Sequence, residues 1–104
     1  MARPLGITSL KILAAIRDGH AYGLELVART GLASGTIYPT LGRLRRSGLV
    51  ETRWEDQRVA EKEGRPRRRY YDLTRDGARA LEEGAARVAE VAAALVPVTE
   101  GHTG

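Results

Sequence analysis

The sequence contains no cysteine, no phenylalanine, one tryptophan and two histidines among its 104 residues. Without cysteine the chain can form no disulfide, no thiolate metal site and no thiolate nucleophile. His20 and His102 stand far apart, and the carboxylates are scattered beside arginines, so no group has the arrangement that catalysis requires. We therefore predict no enzymatic activity, no metal site and no cofactor.

Long apolar runs are also missing. No stretch of about 18 apolar residues is present to span a membrane, and residues 1–6 do not have the pattern of a signal peptide. Hydrophobic residues make up 42% of the chain, which is ordinary for a globular protein, but the scarcity of aromatic residues requires an aliphatic core. We expect one soluble, cytoplasmic domain without a membrane partner.

The charge is positive and is carried almost entirely by arginine. The formal net charge is +4, and only Lys11 and Lys62 among the 17 basic residues are lysines. Arginine makes bidentate contacts with phosphate and with guanine, so this composition favours a nucleic-acid partner. A GC-rich genome would give the same bias, and composition alone leaves both explanations open.

The order of secondary-structure elements can be predicted from periodicity. Apolar residues recur at helical spacing in three short segments, each followed by a glycine, and then in one long Ala-rich segment that Thr74 can cap. Two alternating segments between them predict a long β-hairpin with a polar loop over residues 56–66. The predicted helices cover residues 8–17, 22–29, 36–47 and about 75–96, and the strands cover residues 49–55 and 67–73.

The third helix has two contrasting faces. Ile37, Leu41 and Leu44 share its apolar face, and Pro39 requires the helix to begin near residue 35 or 36. The opposite face carries no acidic residue and can enter the major groove of DNA, although a solvated basic face is the alternative. Arg43 is the candidate for contacting a base edge. The candidate DNA-binding residues of this helix are Thr36, Tyr38, Pro39, Thr40, Arg43 and Arg46.

The predicted hairpin has a basic tip. Arg65, Arg67 and Arg68 are candidates for contacting the phosphate backbone or a narrow minor groove, and Pro66 limits how far this segment can fold back. Acidic residues precede the tip, so a disordered and nearly neutral loop is the alternative. Disorder in the free protein and function on DNA are compatible.

Three helices followed by a hairpin are the layout of a winged helix-turn-helix, within a mainly helical α+β fold. We expect this DNA-binding domain over residues 1–74, a C-terminal dimerisation helix over residues 75–96 and a flexible tail over residues 97–104. Apolar residues recur every three and four positions in the last helix, which favours a homodimer but also fits packing onto the chain's own domain. The candidate interface residues are Ala78, Leu81, Ala85, Val88, Ala92 and Leu95.

These segments resemble the PadR family of bacterial regulators, and the resemblance extends to about residue 95. Residues 19–26 (GHAYGLEL) are similar to the family's junction of the first two helices, and residues 34–41 (SGTIYPTL) to its recognition helix. Residues 64–71 (GRPRRRYY) and 73–77 (LTRDG) are similar to its wing and to the start of its dimer helix.

The resemblance implies a dimeric repressor that binds an inverted-repeat operator and is released by a small-molecule effector or another signal. Phenolic acids and cationic drugs are ligand classes of the family, but the last helix has no aromatic residue on which a flat drug could stack. Trp54 and Tyr22 are candidate effector residues in a cleft between the winged domain and this helix, and capping of a small core is the favoured alternative. The alternative function is a module that binds protein or RNA.

Overall fold

The computed structural model describes residues 4–97, and this part of the chain forms five helices and one two-stranded sheet. The strands β1 (Val50–Trp54) and β2 (Arg69–Leu73) pair antiparallel, with Thr52 opposite Tyr71. The predicted mainly helical α+β fold is confirmed. The helices are α1 (Ile7–Arg17), α2 (Gly23–Thr30), α3 (Ser34–Arg46), α4 (Gln57–Glu63) and α5 (Arg75–Leu95).

The core lies among α1, α2, α3, the sheet and the first half of α5. Helix α1 is its centre, since Ile12 and Leu13 are completely buried there, beside Leu26 of α2 and Ile37 of α3. Tyr71 is the one aromatic residue of the buried cluster, so the core is aliphatic as the composition predicts. Burial of each large aliphatic side chain stabilises the fold by about 1.5–3 kcal/mol.

Helices α2 and α3 form a helix-turn-helix. Gly31 ends α2 with a φ of 73°, in the left-handed region that glycine adopts without strain. Helix α3 then begins at Ser34, one or two residues earlier than Pro39 led us to expect, because the carbonyl of Ala33 already accepts from Ile37. Pro39 is tolerated inside the helix on its solvent-exposed side, where the carbonyl it leaves without a partner can bind water.

The segment between the two strands is not the predicted polar loop, because residues 57–63 form α4. Asp56 caps this helix by accepting a hydrogen bond from the Arg58 amide at 2.8 Å, and Gly64 ends it with a φ of 69°. Ala60 of this helix is buried, although it is not part of the core cluster. An Asp and a Gly on either side of seven residues were the sequence signals that could have predicted it.

Helix α5 begins as predicted, with the Thr74 hydroxyl accepting from the Gly77 amide at 2.9 Å. Its first half packs on α1 and β2, and its second half extends away from the domain. Between residues 4 and 97, no helix is long and apolar enough to cross a membrane. Apart from residue 97, the predicted tail lies outside the described residues.

Candidate nucleic-acid interface

Helix α3 presents a basic face to solvent, as its periodicity predicts. The side chains of Ile37, Leu41 and Leu44 are at most 3% exposed, which fixes the helix on the core by its apolar side. The exposed side includes Arg45, a basic residue that was not among the predicted ones. The predicted residues on the exposed side are Thr36, Tyr38, Pro39, Arg43 and Arg46.

Thr40 differs from its predicted position, because it is only 2% exposed. It lies three residues after Ile37 and four before Leu44, so it belongs to the buried side of the helix. Its hydroxyl accepts a hydrogen bond from the Arg43 guanidinium at 3.1 Å. Thr40 is therefore placed to orient Arg43.

Tyr38 connects α3 with α2. Its ring packs directly on Gly23, where a Cβ atom would overlap the ring. Glycine at position 23 allows this close approach, and Tyr38 remains 46% exposed. Tyr38 therefore lies at the boundary between the core and the exposed face of α3.

The wing of this chain consists of β1, α4, β2 and the segments between them, residues 50–73. It is organised around the carboxylate of Glu55, whose side chain is 5% exposed. Arg65 donates to both of its oxygens, at 2.6 and 2.8 Å, and the Arg68 amide and the Tyr70 hydroxyl donate at 3.2 Å each. These hydrogen bonds, above all those from Arg65, lower the pKa of Glu55 to about 2. Glu55 could not be recognised as a site residue from sequence patterns, because its four donors come from residues 10 to 15 positions further along the chain.

Four arginines of the wing lie over aromatic rings, and two of them, Arg67 and Arg68, are candidate DNA-binding residues. The guanidinium carbon of Arg68 is 4.0 Å from the centroid of the Tyr22 ring, and Tyr22 meets Tyr70 edge to face at 5.9 Å. Arg67 stacks on Trp54 with a distance of 5.2 Å from its guanidinium carbon to a ring centroid. Both cations are therefore oriented by rings.

Trp54 is 55% exposed, so the expectation that it caps the core is wrong. It lies at the end of β1 opposite Arg69, on the surface of the wing. Tyr22 is half-buried, and Trp54 and Tyr22 do not line a common cleft in the described structure. The isolated bridge between Tyr22 and Tyr70 holds Tyr22 beside the wing.

Tyr22 lines a different cleft, with a volume of about 760 Å³, between α2, α3 and the wing. Tyr38 forms part of its wall, and Arg67 and Arg68 line the side formed by the wing. No residue of α5 contributes to its lining, so it is not the cleft predicted between the winged domain and the last helix. The cleft therefore lies between Tyr38 of α3 and the basic wing.

The predicted dimer residues divide into two groups. Leu81 is 5% exposed and belongs to the chain's own core, which was the alternative role for this part of the helix. Val91, which was not among the predicted interface residues, is 55% exposed in the second half of α5. The predicted interface residues that are exposed are Ala78, Ala85, Val88, Ala92 and Leu95.

Three helices with an exposed basic α3, followed by a two-stranded wing, define a winged helix-turn-helix protein. The model of the transcriptional regulator PadR-like family matches residues 12–83, which is more than half of the chain. The chain therefore belongs to the PadR family of transcriptional regulators. No curated protein sequence matches it significantly.

Solved structures of transcription regulators have the same fold. A PadR family regulator from Clostridium difficile R20291 is 22% identical, with a TM-score of 0.76 over 86% of this chain and 95% of that chain. A PadR-like regulator from Bacillus cereus is 28% identical, with a TM-score of 0.73 over 86% and 88%. BpsR from Bordetella bronchiseptica is 21% identical, with a TM-score of 0.67 over 86% and 59%.

Proposed function

We propose that the protein is a cytoplasmic repressor that binds an inverted-repeat DNA operator as a homodimer. The observation that carries this proposal is the surface formed by the exposed face of α3, the adjoining cleft and the arginines of the wing. A helix of this kind fits the major groove, and a basic wing beside it can follow the phosphate backbone. Membership in a family of transcriptional regulators supports the proposal.

The two basic elements have different roles in this proposal. Arg43 contacts a guanine edge, because it is exposed on α3 and its guanidinium is held by the Thr40 hydroxyl. Thr36, Pro39 and Arg46 flank it in the groove, and Tyr38 donates to a phosphate. Arg67 and Arg68 contact the backbone or the minor groove from the wing.

The second half of α5 binds a second copy of the chain. Val88, Val91 and Leu95 are 36%, 55% and 76% exposed, and their spacing of three and four residues places them on one side of the helix. An identical stripe on a second chain is the matching surface, and a two-fold axis between the helices would place two α3 helices on one side of the duplex. About one helical turn, roughly 34 Å, would separate the half-sites.

A small-molecule effector that releases the operator is the finer part of the proposal. DNA binding by the structural neighbour BpsR is regulated by 6-hydroxynicotinic acid. In this chain the cleft beside Tyr22 is lined by Tyr38 of α3 and by Arg68 of the wing, so a ligand there would compete with DNA for Arg68. Displacement of labelled operator during a compound screen tests this role, and Arg68→Ala should abolish the response.

The DNA-binding proposal is tested on an operator selected from random duplexes. Arg43→Ala should weaken operator binding by about 1–3 kcal/mol and random-duplex binding much less. Arg67→Ala should weaken both, and each lost phosphate contact should reduce the salt slope by about 0.9, counted twice in a dimer. Arg79→Ala, an exposed change on α5, is the control.

Equal losses on both duplexes for Arg43→Ala would show that this residue does not contact a base. Failure of the wild-type protein to bind any duplex would favour the alternative function, a module for protein or RNA interaction. The same titration with single-stranded and double-stranded RNA separates these two alternatives.

A further inference from the structure

A buried carboxylate in the wing is unexpected for a surface that binds DNA. Glu55 carries a negative charge on the element that presents Arg67 and Arg68, and a carboxylate there repels phosphate. Its side chain is nevertheless only 5% exposed and accepts four hydrogen bonds, so the wing is built around it.

The four donors show what Glu55 holds together. Arg65 follows Gly64, the residue that ends α4, and Arg68 directly precedes β2, so Glu55 binds both ends of the segment that carries Pro66 and Arg67. The Glu55 amide also donates to the Arg68 carbonyl at 2.8 Å. These hydrogen bonds close residues 65–68 into a loop. The loop fixes the direction in which the exposed Arg67 leaves the wing and the position of Arg68 over Tyr22.

We propose that Glu55 and Arg65 are a pair of positioning residues for the wing, and that Arg65 itself does not contact DNA. Arg65 is 22% exposed and uses both terminal nitrogens of its guanidinium on Glu55, in contrast to the exposed Arg67. The pair is close to neutral and orders the two arginines that meet the phosphates. This inference rests on the proposed DNA binding.

Removal of the Glu55 charge has two opposite effects on DNA affinity, and these effects provide a test. Glu55→Gln removes a negative charge from the wing, which on electrostatic grounds alone raises DNA affinity. It also places an amide NH₂ among donors from Arg65, Arg68 and Tyr70. Because a donor cannot accept from these groups, the loop of residues 65–68 opens. We expect operator and random-duplex binding to weaken about fivefold or more. Glu61→Gln, the same charge change at an exposed position of α4, should leave binding unchanged or slightly stronger.

Further variants separate positioning from general stability. Arg65→Gln should weaken DNA binding as much as Glu55→Gln does. The double variant should lose no more DNA affinity than either single variant, because both changes break the same pair. In an Arg67→Ala/Arg68→Ala background, Glu55→Gln should cost nothing more. A change that merely lowered the folded fraction would weaken binding equally in both backgrounds.

Amide hydrogen exchange of the free protein provides a readout that does not depend on DNA. The Arg68 amide should exchange faster in Glu55→Gln than in wild type, while amides of α1 stay protected. Unchanged protection of Arg68, or a gain in DNA affinity in Glu55→Gln above that in Glu61→Gln, would overturn the inference. If wild type binds no duplex at all, the proposed function fails, whereas wild-type binding without a loss in Glu55→Gln rejects the positioning pair alone.

Discussion

The two halves of α5 use one apolar stripe in two different environments. The stripe runs along a single side of the helix at alternating spacings of four and three residues. Its first half is buried against the chain's own domain, and its second half is exposed. The residues of the stripe are Gly77, Leu81 and Gly84 in the first half and Val88, Val91 and Leu95 in the second.

The size of the side chains explains the difference. A Cβ atom at Gly77 would overlap the Leu49 carbonyl, and one at Gly84 would overlap the side chain of Leu10, so glycine lets α5 approach the domain closely. The second half carries larger side chains and extends past the domain. A heptad pattern therefore shows which side of a helix is covered, but not whether its own chain or a second chain covers it.

The largest contrast is expected between Leu81 and Leu95. Leu81→Ala should lower the free energy of unfolding by about 2–5 kcal/mol at every protein concentration, because it leaves a cavity in the core. Leu95→Ala should lower only the part of the free energy of unfolding that depends on protein concentration. The Leu95 side chain is 76% exposed in one chain and would be covered by the second chain. Urea denaturation over a range of protein concentrations measures both effects.

The proposed difference between the two halves of α5 is wrong if Leu95→Ala destabilises the protein as much as Leu81→Ala at concentrations where light scattering shows monomers. It also fails if wild-type stability does not depend on concentration. In the first case the end of α5 would pack on its own domain.

A smaller loss is expected at Gly77. Gly77→Ala should cost about 1–3 kcal/mol, because the new methyl group meets the Leu49 carbonyl, which is backbone and cannot rotate away. The matched control is Gly42→Ala in α3, where the methyl would meet only the end of the Arg46 side chain at 3.3 Å. That change should stabilise the helix by up to about 1 kcal/mol. Thermal unfolding followed by circular dichroism distinguishes the two signs.

Local patterns predicted most of this fold. The apolar face of α3 and the Thr74 cap were confirmed because each depends on residues within one or two turns of a helix. Helix α4 was missed, although Asp56 and Gly64 flank it, because its polar residues and the basic segment after it are typical of a loop.

Interactions between distant residues could not be predicted from periodicity. The hydrogen bonds of Arg65 to Glu55 depend on how α4 returns the chain to the sheet, so the sequence showed Arg65 as a free cation. Leu81 was expected at the dimer interface for a similar reason, since its position in the heptad pattern is the same as that of Leu95. Thr40 was misplaced because a polar residue beside a buried stripe was assigned to the exposed side.

The smallest effect is expected where the two halves of α5 meet. The Arg87 guanidinium donates to the Leu5 carbonyl at 2.9 Å, which ties α5 to the segment before α1. Because this hydrogen bond is exposed to water, Arg87→Ala should lower the free energy of unfolding by about 0.5–1 kcal/mol. Arg79→Ala is the matched control. The contact of Arg79 with Asp76 is longer, at 3.7 Å, and exposed, so this variant should lose almost no stability.

If the two variants unfold alike, Arg87 adds nothing to packing on the domain, and the boundary between the two halves lies at Gly84. If only Arg87→Ala unfolds more easily and dimer dissociation is unchanged, the contribution of the chain's own domain extends one turn further along the helix.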